Sequence, residues 1–335
     1  MSNTLADLRG FVCLVTGASR GIGRGIAVGL GECGATVYIT ARTLRPKGES
    51  GDSAAPGSLE ETASEITARG GVAIPVVVDH SDDAQVTELF ARIRREQRGR
   101  LDILVNNVYA GVDTLASPPT KNRKYWHMSD DETPASLWDA VNGVGLRNHY
   151  ICSALATRMM LEYRDELEDG DDKKAPKKEP RPGIIFNISS IGGLRYAFAA
   201  VYGIGKSIPC KCAVDRMSSD LSTELESCGK SVSVMSIWPG IVRTELLMKY
   251  AKKAGDAFPF DVNTHSESPE FTGRVLAEIA KESRADIMSR SGRVFVVADV
   301  ASSKGITDID GRSPLSFRSY KYVLSAFNWV SLNID

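Results

Sequence analysis

A doubly wound α/β fold, with one parallel sheet of about seven strands in a single domain over residues 1–335, is what this chain predicts. Three observations predict it. Short apolar runs alternate with longer segments of helical apolar spacing along the whole chain, which is the βα repeat of a parallel sheet. The first run leads straight into a glycine-rich turn and then a helix-like segment, the arrangement that meets a phosphate. The composition is that of an ordinary globular chain: 335 residues, 42% hydrophobic, 25% charged, net charge −1, long enough for a full core.

The same numbers exclude several classes. A near-neutral charge gives no support for nucleic-acid binding. Residues 1–10 are polar and lack an apolar signal core. No stretch reaches the roughly 18 apolar residues of a membrane span. The tail at 322–334 is the most apolar, but Ser325, Asn328, Ser331 and Asn333 interrupt it. It reads as a segment packed on the fold or on a partner subunit, with a surface or membrane as the other reading. The six cysteines have no zinc or disulfide spacing, and Cys210-x-Cys212 is too tight for a usual metal pair; reduced thiols in a cytoplasmic setting are expected.

The first strand is expected at 11–16, followed by Gly17-Ala-Ser-Arg-Gly21-Ile-Gly23 and a helix over 26–33. Its glycines let backbone N–H groups and the helix start approach a diphosphate. The second strand, 36–41, ends in Ala41, where many dinucleotide folds carry an acid for the ribose 2′-hydroxyl. Arg42 follows, and Arg20 in the glycine turn can reach the same point. A missing acid and two guanidiniums suit a 2′-phosphate, which favours NADP(H); the plain alternative is a solvated surface arginine at 42.

Residues 44–58 read as a flexible loop, 59–69 as a helix and 73–78 as the third strand, ending at Asp79-His80. His80 reads as a loop residue near the adenine, with a catalytic histidine as the weaker alternative. A helix over 85–97 precedes the fourth strand at 101–105, which ends in Asn106-Asn107. Residues 112–133 form a long polar loop of the kind that covers sites. A helix then runs from Thr133 to about Tyr163. Residues 165–182 alternate acidic and basic clusters and read as a solvated, disordered insertion. The fifth strand, 183–188, ends at Ser189-Ser190; the sixth and seventh are expected at 232–237 and 293–298, with a helix at 271–281 and a C-terminal extension from 299.

Between the fifth and sixth strands lies Tyr202-x-x-x-Lys206, on a helix expected to run to about Cys228. Tyrosine and lysine four residues apart share a helix face. Free in water they titrate near ~10 and ~10.4. An ammonium beside the phenol favours the phenolate, which makes Tyr202 a usable proton donor or acceptor for a substrate oxygen. The pair is common by chance and gains weight only from its surroundings. Pro209, inside that helix, removes the hydrogen bond to Gly205 and predicts a local distortion.

Taken together, Thr16-Gly-Ala-Ser-Arg-Gly-Ile-Gly23, Asn106-Asn107-Val-Tyr-Ala-Gly111, Ser189-Ser190, Tyr202-x-x-x-Lys206 and Pro239-Gly-Ile-Val-Arg-Thr244 resemble the short-chain dehydrogenase/reductase family, over nearly the whole chain. The resemblance implies a Rossmann-type sheet and an NADPH-dependent oxidoreductase that reduces ketone or aldehyde carbonyls. The substrate would be a small apolar molecule, a steroid or xenobiotic. Tyr202 would be the general acid, and Ser190 would hold the carbonyl, with Ser189 as the substitute. Lys206 would hold the nicotinamide ribose and tune Tyr202. Cofactor contacts would come from Gly17, Ser19, Arg20, Gly21, Ile22, Gly23, Arg42, Asp79, Asn106, Tyr202, Lys206, Pro239 and Thr244. A homo-oligomer and a cytoplasmic location, peripheral on the endoplasmic reticulum, also follow from the resemblance.

One departure stands out. The family carries an Asn on the long helix where this chain has Gly145, in Val144-Gly-Leu146; Asn142 lies three residues earlier on nearly the same face. Either Asn142 substitutes or the proton relay differs. That departure is the one support for the alternative reading, an NADP-binding scaffold or sensor with little turnover. Specificity would lie in residues 112–133 and 245–267, neither of which carries a motif.

Overall fold

Seven parallel strands form one sheet: β1 (Val12–Thr16), β2 (Thr36–Ala41), β3 (Val72–Val77), β4 (Ile103–Asn106), β5 (Gly183–Ile188), β6 (Val232–Trp238) and β7 (Val294–Val296). Their order across the sheet is β3-β2-β1-β4-β5-β6-β7. The computed structural model describes residues 6–46, 57–111, 133–169, 180–191, 209–255 and 262–319. The helices are α1 (Gly21–Glu32), α2 (Leu59–Ala68), α3 (Asp83–Glu96), α4 (Pro134–Asn142), α5 (Asn148–Asp169), α6 (Pro209–Ser227), α7 (Glu245–Ala254), α8 (Val262–His265), α9 (Pro269–Ala280), α10 (Arg284–Ser289) and α11 (Val297–Lys304).

The central strands β1, β4, β5 and β6 are buried at every position because both faces are covered, and their few polar residues, such as Thr16, Asn106 and Asn187, are hydrogen-bonded there. Every residue of β1 is buried. Successive side chains alternate between faces. Cys13 and Val15 join a cluster with Ile26 and Leu30 of α1 and Phe271 and Leu276 of α9. Val12 and Leu14 join the opposite cluster with Leu89 and Phe90 of α3 and Met159 and Met160 of α5.

The long helix differs from expectation. It starts as expected with Thr133, whose hydroxyl accepts from Ser136 N at 3.0 Å while Ser136 Oγ accepts from Thr133 N at 2.9 Å. It then changes at Gly143–Arg147 into a π-helical turn between α4 and α5. Its end also differs, at the margins, from the disorder expected over 165–182: residues 165–169 complete α5, and 180–182 are described as well. The charges there did not stop the helix because buried Arg164 pins it, donating to Met160 O at 2.9 Å and to Arg181 O at 2.7 Å. Arg181 in turn donates to Glu282 O at 2.8 Å. Residues 170–179 lie outside the described residues.

Smaller corrections fall at strand ends. β7 is shorter than 293–298, since Val297 and Ala298 begin α11. β3 starts and stops one residue earlier than expected. Among its described residues, the segment 245–267 holds two helices that no motif announced. Pro209 is the first residue of α6 as described, so the distortion expected just before it falls outside the described residues, as do residues 322–334. Among the described residues no helix is long and apolar enough to cross a membrane.

α1 lies against α9 with almost no side chain between them. A Cβ on Gly25 would sit 2.1 Å from the Pro269 carbonyl carbon, and one on Gly29 2.8 Å from Gly273 C. The testable consequence is that Gly25→Ala forces these helices apart. Overpacking of this kind costs about 1–3 kcal/mol. Urea unfolding should show a lower midpoint with an unchanged slope; an unchanged midpoint would show that the contact yields freely.

Candidate active site

The strand order reverses direction between β1 and β4, so the chain leaves these neighbours on opposite sides and opens a crevice at their carboxyl ends. Thr16 and Asn107 hold the crevice. Thr16 Oγ1 donates to Val105 O at 3.2 Å and accepts from Asn107 N at 3.0 Å and Val108 N at 3.1 Å. Asn107 Nδ2 donates back to Thr16 O at 2.9 Å and Gly17 O at 3.1 Å. Gly17 has φ +70°, and a Cβ there would meet Val108 Cα at 2.8 Å, so only glycine fits. At Gly23 a Cβ would lie 2.2 Å from Gly17 O, so the first turn of α1 packs directly on the strand end.

The N–H groups at the start of α1 face this crevice, where the helix dipole favours an anion. An anionic oxygen is there: Glu245 Oε2 accepts from Gly21 N at 2.9 Å, with Arg24 Nη1 at 4.0 Å from its other oxygen. Thr244, which caps α7 by accepting from Leu247 N at 3.2 Å, stands beside Gly21, its methyl 3.3 Å from where a Gly21 Cβ would be. The glycine cradle and the carboxylate standing in for a phosphate fit the diphosphate of a dinucleotide. Ser19, Arg20 and Ile22 are half-buried around it, and Arg20 is the N-cap residue of α1.

At the outer edge, Ala41 is buried and Arg42 exposed at the end of β2. Val78 N donates to Ala41 O at 3.1 Å, which brings Asp79 alongside. The Asp79 carboxylate accepts from Ser81 N and Oγ, at 2.9 and 2.7 Å; these bonds hold its pKa below the usual range, and Arg42 adds a smaller pull. His80 sits in the turn after β3, as expected of a loop residue, but it is buried. Its ring is buried between Thr40 Oγ1 at 2.8 Å and Asn148 Oδ1 at 2.9 Å, and burial pushes its pKa down to about 4. It is a neutral tie between β2 and α5 and not a catalytic base.

The β4–β5 edge is backed by polar ties. Asn106, fully buried, donates to Asn187 Oδ1 at 2.8 Å and Ser153 Oγ at 2.9 Å. Asn187 donates to Ser218 Oγ of α6 at 2.9 Å. The Asn106 amide is thus turned into the interior, so this residue supports the strand end from behind. Ser189 is buried and donates to Lys211 O at 3.1 Å, while Ser190 is half-buried. Lys211 Nζ donates to Ile188 O at 2.6 Å and lies 5.6 Å from the Tyr109 ring centroid. His149 pairs through Nε2 with Val108 O at 3.0 Å; burial, with Lys211 close by, pushes its pKa down to about 3. Asn142, also buried, donates to Trp138 O at 3.1 Å, while its Oδ1 has no partner among the described residues.

The loop after β6 closes the far side. Pro239 is buried, and Gly240 N donates to Glu267 Oε1 at 3.0 Å. Ile241 O accepts from Glu267 N at 2.8 Å, and Arg243 donates to Asp308 and Asp310 at 3.3 and 3.1 Å.

The structure therefore brings together the glycine turn, Thr244, Pro239, Asn106 and Ser190 along one carboxyl edge, with Arg42 and Asp79 at its outer end. Tyr202, Lys206 and residues 112–132 lie outside the described residues. Sequence reasoning missed Asn107, Lys211, Glu245 and Glu267. Only Asn107 carried a signal, as the second Asn at a strand end.

A family model described as short chain dehydrogenase matches residues 11–255. The chain is 40% identical over 336 residues to "Dehydrogenase/reductase SDR family member 1" of Mus musculus, covering 98% of this chain and 93% of that protein. It is 40% identical over 331 residues to the Homo sapiens protein of the same name, covering 96% and 90%. A solved structure of a short-chain type dehydrogenase/reductase from Mycobacterium marinum matches with TM-score 0.60 at 23% identity, covering 87% of this chain and 94% of that one.

Glu267 makes stability depend on pH. Burial raises its pKa from 4.5 to about 8, with the Asp308 carboxylate adding to the rise. The folded state therefore binds the proton more tightly than the unfolded chain, so its contribution is full below about 4.5 and is lost as pH rises towards about 8. Glu267→Gln keeps the oxygen that Gly240 needs and removes the titration. Thermal unfolding at pH 5 and pH 8 should show a smaller loss on alkalinisation in the variant than in the wild type; equal losses would place the pH dependence elsewhere.

Proposed function

Because the chain belongs to the short-chain dehydrogenase/reductase family, an oxidoreductase family with an NAD(P)-binding fold, we propose that it is an NADPH-dependent reductase of ketone or aldehyde carbonyls on small apolar molecules. The observation that carries the reading is the anion-holding start of α1 at the β1–β4 crevice, where Gly21 N already binds a carboxylate oxygen. Gly17, Gly21 and Gly23 give the backbone room for a diphosphate, and Ser19 and Ile22 flank it. Pro239 and Thr244 lie beside the same edge. Arg42, with Arg20, offers charge to a 2′-phosphate where Ala41 offers no carboxylate to a 2′-hydroxyl. A nicotinamide cofactor bound there supplies the hydride.

The chain's own groups would do the rest. Tyr202 gives the proton to the carbonyl oxygen, with a lysine ammonium beside it to lower its pKa; Lys206 is the lysine that the motif offers. Ser190 orients the carbonyl by donating its hydroxyl proton, the more exposed of the two serines being the better placed. Asp79 stays ionised at the adenine end. Steroids and xenobiotic carbonyls are the substrate classes this reading favours. A second reading, an NADP-binding scaffold with little turnover, is favoured only by Gly145 and by an Asn142 amide turned back onto Trp138 O. Turnover of NADPH with a panel of ketones and aldehydes separates the two: no oxidation above background with any carbonyl would leave the scaffold.

Cofactor choice follows from the Ala41–Arg42 corner. A charge-assisted contact is worth about 1.5–3 kcal/mol, so NADPH should bind at least about tenfold tighter than NADH. Ala41→Asp combined with Arg42→Leu should reverse the order, and equal dissociation constants in the wild type would refute the assignment. Tyr202→Phe keeps the ring and removes the proton. Its turnover should fall by about 10²–10⁴ with NADPH binding retained. A Phe variant as fast as the wild type would move the acid to another residue.

A further inference from the structure

We infer that the turn at 308–312 belongs to the dinucleotide site: Asp308, acting through Arg243, positions the loop that carries Pro239 and Thr244. The inference rests on the oxidoreductase reading above, in which that loop meets the cofactor. Asp308 and Arg243 are positioning residues, since their bonds are to the protein itself.

The turn is built to present carboxylates inward. Gly305 ends α11 at φ +68°, and Ile306 then packs into the core cluster that holds Phe271 and Val300. Asp308 N donates to Arg312 O at 2.8 Å and Gly311 N donates to Asp308 O at 2.9 Å, which closes the turn. The Asp308 carboxylate is buried. It accepts from Ser268 N and Ile309 N, both at 2.7 Å, and from Ser268 Oγ at the start of α9. A carboxylate so enclosed is costly without a cation, and Arg243 supplies one, its Nη2 donating to Asp308 Oδ2 at 3.3 Å. Asp310, bonded to Arg312 Nη2 at 2.6 Å, accepts from the same Arg243 nitrogen at 3.1 Å. Arg243 Nη1 donates to Ser266 O at 2.8 Å.

This guanidinium is the tie between the C-terminal segment and the cradle. Glu267 grips the loop by its backbone, accepting from Arg243 N at 2.9 Å and donating to Ile241 O at 2.8 Å. Asp308 and Asp310 grip it by a side chain, at the last residue before Thr244. Thr244 and Glu245 are the two residues of this loop and helix start that stand against Gly21. Losing the Arg243 tie would therefore widen the range of positions open to Thr244. The apparent affinity would fall with the fraction of molecules in which Thr244 is in place. β2 and β6 lie on opposite sides of the β1–β4 crevice. The Ala41–Arg42 corner takes the adenosine end, so the loop after β6 meets the other half of the dinucleotide.

The test uses the full chain with Asp308→Asn, Arg243→Met, the two combined, and Arg243→Lys. Each is also made on Glu245→Gln, which frees Gly21 N, so that a loosened Glu245 does not mask a loosened Thr244. Dissociation constants are read by fluorescence for the dinucleotide that the wild type binds tighter. The matching adenosine half, adenosine 2′,5′-bisphosphate for NADPH or AMP for NADH, is read by displacement, and folding by thermal unfolding. Asp308→Asn and Arg243→Met should each weaken the dinucleotide by about tenfold, the scale of one hydrogen bond between charged groups, with the adenosine half within about twofold of wild type. The combined variant should lose no more than the worse single one, because both act through one contact. Arg243→Lys, which keeps the charge, should lose less than Arg243→Met. Should Asp308→Asn fail to fold, Arg243→Met, which leaves Asp308 its bonds to Ser268 and Ile309, carries the same comparison. Dinucleotide binding within about twofold of the parent in folded variants of both backgrounds overturns the inference. So do equal losses for the dinucleotide and its adenosine half, or losses that multiply in the combined variant. A wild-type chain that binds neither dinucleotide overturns the oxidoreductase reading itself and this inference with it.

Discussion

The gap between the carboxyl ends of β1 and β4 is the constraint on which the rest of the structure depends. It has to be open enough for a ligand and closed enough that Gly17 still touches residue 108. Asn107 sets it, with one side-chain amide bonded to two consecutive carbonyls of the opposite strand end and its backbone N–H on the Thr16 hydroxyl. A hydrophobic side chain at 107 would leave those carbonyls unpaired in a half-buried place. Because Gly23 packs on Gly17 O, the same brace also fixes where α1 begins and which way its N–H groups point.

Behind the edge, rigidity comes from polar groups that are almost wholly enclosed. Asn106, Asn187 and Ser218 link β4, β5 and α6 in one line of hydrogen bonds, and Asp215 ties α6 to β6. Such a line is specific because each member needs its neighbour in one orientation. It also explains why the helix that follows the serine pair cannot rotate independently of the sheet. The site is thereby carried on strands and helix starts, whose positions are held from behind.

Most of the fold was legible in the sequence because its signals are local. Apolar runs bounded by glycine and asparagine marked all seven strands, and Gly17, Gly21 and Gly23 marked the cradle. What was not legible depends on contacts between distant segments. Nothing near His80 announces that Thr40 and Asn148 will enclose it. Glu267 reads as a surface acid until Gly240 is laid beside it. The charges at 165–169 suggest solvent, and only the anchoring of Arg164 explains why the helix continues through them.

The Glu245 carboxylate on Gly21 N makes α7 a built-in competitor for the cradle. One N–H cannot serve this carboxylate and an incoming diphosphate together, so loading is an exchange of one anion for another. Part of the electrostatic gain of binding is cancelled by the carboxylate that departs, and the apparent affinity is the intrinsic one scaled by the fraction of molecules in which the cradle is vacated. The displaced residue is the first of α7, a helix that also carries Met248 and Tyr250 exposed on its outer side. Occupancy at the start of α1 is therefore coupled to the first residue of α7 through a single N–H.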